Sequence, residues 1–197
     1  MPLIDPLDDA ELTDDVRELV KFFGGPLGMI PNSVRTMARR PEIAKAFTAL
    51  NKAVMECHGN VTPDLKRMIG YITSQNTGCR YCQAHTALGA KRFGAEDERI
   101  DALWDYPHSP LFTDAERAAF DFALAASTVP NAVNKETEDN LKAHWDSGDI
   151  TEIMGVIALF GYLNRWNDSM STTLEDSAVE VATDILVSEG WERGKHV

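Results

Sequence analysis

Apolar residues recur at intervals of three and four along nearly the whole chain, and no stretch alternates with the period of two that a half-buried strand needs. That property restricts the fold to helices packed on helices. Leu12, Val16, Leu19, Val20 and Phe23 form the first stripe, with Gly24-Gly25 as its stop. Pro26 to Pro31 reads as loop, and a short helix follows with Asn32 or Ser33 as cap. Pro41 opens the next helix, where its missing N–H costs nothing. Ile43, Phe47, Leu50, Val54 and Cys57 then make a stripe that places Cys57 in the core, and Gly59 ends it. Thr62-Pro63-Asp64 starts a helix with Leu65, Met68, Ile69 and Ile72 facing inward. Gln75 to Gly78 breaks it, and another helix runs from about Cys79 to Phe93-Gly94.

Residues 104 to 112, with Pro107 and Pro110, read as loop. Thr113-Asp114-Ala115-Glu116 has the spacing of a capping box and opens a helix to about Ser127. Asn134 caps a helix to about Trp145. Asp149 to Glu152 is the acidic start of Ile153 to Leu163, which is apolar on nearly all sides and is expected to be the central buried helix. A last helix is expected from about Ser177 to Ser188, with a frayed polar tail over 190–197. The expectation is one all-α domain over 1–197, a helical bundle.

At 197 residues such a chain buries roughly 70% of its unfolded surface, so it needs no disulfide or metal staple. A formal charge of -12 argues against nucleic acid and anionic membrane surfaces as partners, since both call for a basic face. Ile153 to Leu163 falls far short of the roughly 20 residues of a membrane span. Met1 to Asp9 is acidic and proline-containing, unlike a secretory signal. A cytoplasmic location is expected, and in a reducing compartment a C-x-x-C is more often catalytic or metal-binding than structural.

Two of the three cysteines form that motif, Cys79 and Cys82, and His85 follows. On a helix beginning near Cys79 the three recur at i, i+3 and i+6, so each neighbours the next. The free N–H groups of a helix start favour a thiolate there. Three uses fit the pattern. In a redox pair one thiol attacks an oxidant or a disulfide and the other resolves the intermediate. In a zinc site Cys79, Cys82 and His85 need a fourth ligand, which Cys57 or His58 could supply, although Cys57 lies on an apolar stripe and no second C-x-x-C exists. Or the two cysteines are simply buried and inert. No cofactor or metal is expected under the first. Arg67, on the preceding helix, favours a thiolate, receives an anionic substrate, or is a solvated surface residue. Tyr71 is a further candidate neighbour of Cys82. Asn164 to Asp168, ending the most buried helix, must find partners there and line a pocket or cap the helix.

Asn76-Thr77-Gly78-Cys79-Arg80-Tyr81-Cys82-Gln83-Ala84-His85 resembles the core motif of the carboxymuconolactone decarboxylase superfamily, closest to its alkylhydroperoxidase D-like, peroxidase-related branch. Gly28 to Ser33, Arg40-Pro41-Glu42 and Leu163 to Asp168 extend the resemblance over roughly residues 20–175. The resemblance implies an all-α homo-oligomer with the thiols near a subunit contact. Cys82 would attack a hydroperoxide and Cys79 would resolve it. A glutamate, helped by a histidine, deprotonates the attacking thiol, and an external dithiol partner reduces the disulfide. Two positions depart from the pattern. The family histidine falls where this chain has Thr86, so His85 sits one residue early. The family glutamate falls at Arg67, whose guanidinium does not act as a base.

The expected function is therefore a thiol-dependent, peroxidase-like oxidoreductase acting through Cys82 and Cys79 with His85 in support. A thiol–disulfide oxidoreductase without peroxidase activity and an inert metal-binding or structural oligomer are the alternatives. Decarboxylation of a lactone is disfavoured, because that branch generally lacks the cysteine pair.

Overall fold

The structure, a computed structural model, describes the backbone of residues 1–197 and the side chains of all of them except those at positions 26, 27 and 189. The chain begins with α1 (Asp14–Val20), α2 (Gly24–Leu27), α3 (Asn32–Met37) and α4 (Pro41–Met55). A hairpin of α5 (Pro63–Thr77) and α6 (Arg80–Arg92) follows, then α7 (Asp97–Asp101), α8 (Asp114–Ser127), α9 (Lys135–His144), α10 (Ser147–Met170) and α11 (Asp176–Leu186). No strand occurs among the described residues, as the apolar periodicity predicts.

The hairpin and α10 make the centre. The two hairpin arms pack along each other, α10 packs on α4, α5, α6 and α8, and α11 lies on α6. Leu65 to Ser74 is an unbroken buried run, so α5 is enclosed rather than one-sided. Its buried hydroxyls are satisfied locally: Thr73 donates to the Ile69 carbonyl at 2.9 Å and Ser74 to the Gly70 carbonyl at 2.7 Å. Burial of each of Met68, Ile69 and Ile72 contributes roughly 1.5–3 kcal/mol. Helix α10 starts before its apolar segment, because the Asp146 side chain accepts from the Asp149 N–H at 2.9 Å, and runs on to Met170, where Ser171 at φ of 48° stops it. Ile153, Val156, Ile157, Leu159, Phe160 and Leu163 are buried, while Met154 and Tyr162 reach solvent. No described helix is long and apolar enough to cross a membrane. The capping box of Thr113 with Glu116 is present, and Asn134 caps α9.

Three expectations are corrected. The first stripe does not stop at Gly24-Gly25: a 3-10 turn over Lys21–Phe23 leads into α2, and Gly28, with φ of 70°, makes the stop. On α4 the buried face is Ala44, Phe47 and Thr48, and Ile43 and Leu50 point outward. Cys57 is therefore not a core residue. The helix ends at Met55, Glu56 is extended, and Cys57 is exposed with its thiol 3.5 Å from the Gly59 carbonyl. The termination has a cause: the buried Lys66 ammonium donates to the Val54 carbonyl at 2.7 Å and to the Glu56 carbonyl. The tail after Gly190 is docked, not frayed. Trp191 and His196 are buried, the Trp191 indole donates to the Arg80 carbonyl at 3.2 Å, and the Leu174 N–H donates to the His196 carbonyl at 3.0 Å. Two buried aromatic rings seat it together with Arg193, which donates to the Leu174 and His196 carbonyls at 3.1 and 2.9 Å.

Candidate active site

The thiol turn is set by the end of the helix before it. Gly78 closes α5 with φ of 79°, a conformation that favours glycine, and donates to the Gln75 carbonyl at 3.1 Å. Cys79 follows as the extended N-cap of α6, which brings Cys82 into the first turn. Both thiols are free and buried, and the Cys79 thiol is in hydrogen-bonding contact with Cys82. The Asn167 amide, from α10, donates to the Cys82 sulfur at 3.5 Å.

A helix start is expected to favour a thiolate, but here burial prevails. Desolvation pushes the Cys82 thiol well above its ordinary range, the neighbouring Cys79 raises it further, and the Asn167 amide opposes both. Cys82 rests as a thiol, and its use as a nucleophile requires a base.

The imidazole nearest in sequence to Cys82 has a carboxylate partner. His85, one turn after Cys82, places its Nε2 2.6 Å from the Glu175 carboxylate, with both side chains nearly buried. Glu175 precedes α11 and also takes the Tyr81 hydroxyl at 3.0 Å and the Asn32 N–H at 2.5 Å. Burial raises the Glu175 carboxyl, but the His85 charge and hydrogen bond and the Asn32 N–H outweigh it, leaving a net lowering below the ordinary value. Tyr81 is fully buried, stacks on the His85 ring at 4.4 Å between centroids, and is held well above its ordinary value by burial and by Glu175. In the neutral form of His85 that carries its proton on Nε2, toward Glu175, Nδ1 is the nitrogen open to a further proton. Glu175 has no local signature; the only cue is an acid at the start of a helix, which capping explains equally well.

A cavity of about 260 Å³ opens on this turn. Phe22, Phe23, Phe47, Phe93, Phe160 and Leu163 give it an apolar wall, and Cys82, His85, Tyr81, Asn167 and Arg67 supply its polar points. Of the residues expected to act together, Cys82, His85 and Arg67 share this cavity and Cys79 sits behind Cys82. Tyr71 does not join them. It lines a separate depression with Arg80, Gln83 and Trp191, and the tyrosine at the site is Tyr81. The surface reading of Arg67 is also excluded, for the residue is 7% exposed. Its Nη1 donates to the Pro63 carbonyl at 2.8 Å, and the guanidinium lies 3.8 Å from the centre of the Phe93 ring. Asn164 is buried but does not line the cavity, whereas Asn167 does. No cluster of His, Cys, Asp and Glu that would hold a metal ion occurs among the described residues. Cys57 lines the cavity at its exposed side.

The model of the carboxymuconolactone decarboxylase family matches residues 41–125, from α4 into α8. The crystal structure of the debrominase Bmp8 is 31% identical with a TM-score of 0.84, over 93% of this chain and 97% of that one. A C82A variant of Bmp8 has been solved in complex with 2,3,4-tribromopyrrole, at 30% identity and a TM-score of 0.86, over 94% of this chain and 98% of that one. An uncharacterized peroxidase-related protein with an alkylhydroperoxidase AhpD core, from Ralstonia eutropha JMP134, is 26% identical with a TM-score of 0.80, over 90% and 94% of the two chains. The uncharacterized protein YnjA of Escherichia coli K12 is 33% identical over 109 residues, which span 55% of this chain and 59% of YnjA. The chain belongs to the carboxymuconolactone decarboxylase superfamily, in its alkylhydroperoxidase D-like branch.

Proposed function

We propose that this chain is a thiol-dependent reductase that delivers two electrons from Cys82 and Cys79 to an apolar substrate, an organic hydroperoxide in the first instance. The observation that carries this reading is the position of Cys82: its side chain forms part of an apolar cavity wall, with a second thiol in contact behind it. His85 Nδ1, oriented by Glu175, takes the Cys82 proton. The thiolate attacks the distal peroxide oxygen, the O–O bond breaks, and the leaving alkoxide takes the proton back from His85. Cys82 is then a sulfenic acid. The Cys79 sulfur attacks it, the S–O bond breaks, and the hydroxide leaves with the Cys79 proton as water. An external dithiol reduces the disulfide and is itself oxidised.

A second reading has its own support in the one-ring dimensions of the cavity and the kinship to Bmp8. Here Cys82 attacks the halogen of an aryl halide. The carbon–halogen electron pair stays on carbon, which takes the proton from His85. Cys79 then displaces halide from the Cys82 sulfur, giving the same disulfide.

Cys82→Ser is expected to lower peroxide turnover more than about a thousandfold. Cys79→Ser is expected to stop turnover after one event and to leave a sulfenic acid that a dimedone-type reagent traps. Full turnover in Cys82→Ser refutes the proposal. Bromide release from a bromoarene, measured beside peroxide consumption on one sample, decides between the two substrates.

A further inference from the structure

A buried cation beside an apolar cavity is a costly arrangement unless something neutralises it. Arg67 is such a cation. Its side chain passes close over α6 at Gly89, where an added Cβ would meet the Arg67 Cγ at 3.0 Å and Nε at 3.4 Å. Phe93 covers one face. Among the described residues only its Nη1 has a protein acceptor, the Pro63 carbonyl. The Nε–Nη2 edge, which grips a carboxylate side-on, has no acceptor among the described residues. Desolvation lowers the guanidinium to about 10, against a smaller opposing effect from Asp64, and it stays charged at neutral pH.

The nearby anions are committed elsewhere. The Asp64 carboxylate lies 3.8 Å from Arg99, with no ion pair to Arg67. Glu56, at the exposed side of the cavity, lies 3.7 Å from Lys52. Glu175 is held by His85, Tyr81 and Asn32. Nor does the thiol claim this charge: the groups acting on Cys82 are Cys79, Asn167 and Asp168. The cation therefore faces a cavity with apolar walls, and a cavity of about 260 Å³ compares with the roughly 150 Å³ that suffices for benzene.

We infer that this cavity selects monocyclic aromatic carboxylates, with the Nε–Nη2 edge of Arg67 as the specificity-determining contact for the carboxylate and the Phe-lined wall holding the ring. The inference rests on the cavity being the substrate site of Cys82. It adds that the molecule presented to the thiol, whether peroxide or halide, carries a carboxylate group. Such an anion completes the Arg67 shell, so its charge is recognised where a neutral isostere leaves the guanidinium unpaired.

The test is calorimetric binding of benzoate and of benzamide to the reduced protein, to Arg67→Met, to Arg67→Lys and to the Cys79→Ser/Cys82→Ser double variant. Wild type is expected to bind benzoate at least about tenfold more tightly than benzamide. Arg67→Met is expected to lose that preference with benzamide affinity held within about twofold, and Arg67→Lys to keep part of it. The double variant is expected to keep it in full, which separates this inference from the thiol chemistry: an inactive thiol pair with intact benzoate preference refutes only the proposed reaction. Equal affinity for the two ligands in wild type, or no benzoate binding, overturns the inference without recourse to any variant. So does an unchanged benzoate affinity in a folded Arg67→Met.

Discussion

Lys66 and Arg67 are consecutive cations on α5, both buried, and they end in opposite surroundings. The Lys66 ammonium meets the Glu152 carboxylate at 2.6 Å and two carbonyls at the end of α4, a complete shell of three acceptors for three donors. Around it, Asp149 accepts from the Asn60 N–H and side-chain amide at 2.9 and 2.8 Å, pinning the 56–61 loop to the start of α10. Arg67 turns the other way, to an aromatic face, one carbonyl and a cavity. A buried charge with all its partners in the chain belongs to the architecture. A buried charge with donors left over points to a partner the chain does not contain. One residue along the helix rotates the side chain by about 100°, enough to separate the two roles.

Lys66→Met breaks the first half of this contrast most sharply. It strands Glu152 and the α4 carbonyls, and is expected to lower the unfolding free energy in urea by about 3 kcal/mol. A loss under about 1 kcal/mol would mean that the shell stabilises nothing. Glu175 probes a group that is paired and chemically engaged at once. Glu175→Gln is expected to reduce turnover about a hundredfold at neutral pH. It also has a pH signature. The native carboxyl lies below its ordinary 4.5, so its contribution to stability is fully present above that pH and is lost as pH falls through the lowered native value. The stability gap between wild type and Glu175→Gln should narrow in acid; a gap independent of pH would contradict the ion pair. Arg67→Met has the smallest expected effect on stability, within about 1 kcal/mol, since relief of desolvation opposes the lost Pro63 bond and Phe93 contact. A loss as large as that of Lys66→Met would make both cations architectural and erase the contrast.

Much of this was legible residue by residue. The capping residues Thr113 and Asn134, the opening prolines Pro41 and Pro63, and the break at Gly78 act within one turn of themselves, and the helices start and stop beside them. The thiol turn was legible for the same reason. The stripe through Cys57 misled because spacings of three and four fit more than one helix face, and because a lysine ten residues or more away caps those carbonyls. The acid at the site was hidden more deeply. The carboxylate beside His85 comes from residue 175, 90 positions further along the chain. The elevated Cys82 thiol is also a property of packing: the helix start favours the thiolate, and the apolar wall overrules it.

The docked tail has a consequence in time. A ribosome makes Cys82 well before the segment from Thr172 to His196 that holds Glu175 and seats His196 beside Tyr81, 5.9 Å between ring centres. At roughly 5–20 residues per second, the 90 positions between His85 and Glu175 take roughly 5–18 s to make. During that interval His85 lacks its carboxylate, and until Phe160 and Leu163 are made the thiols lack part of their apolar wall.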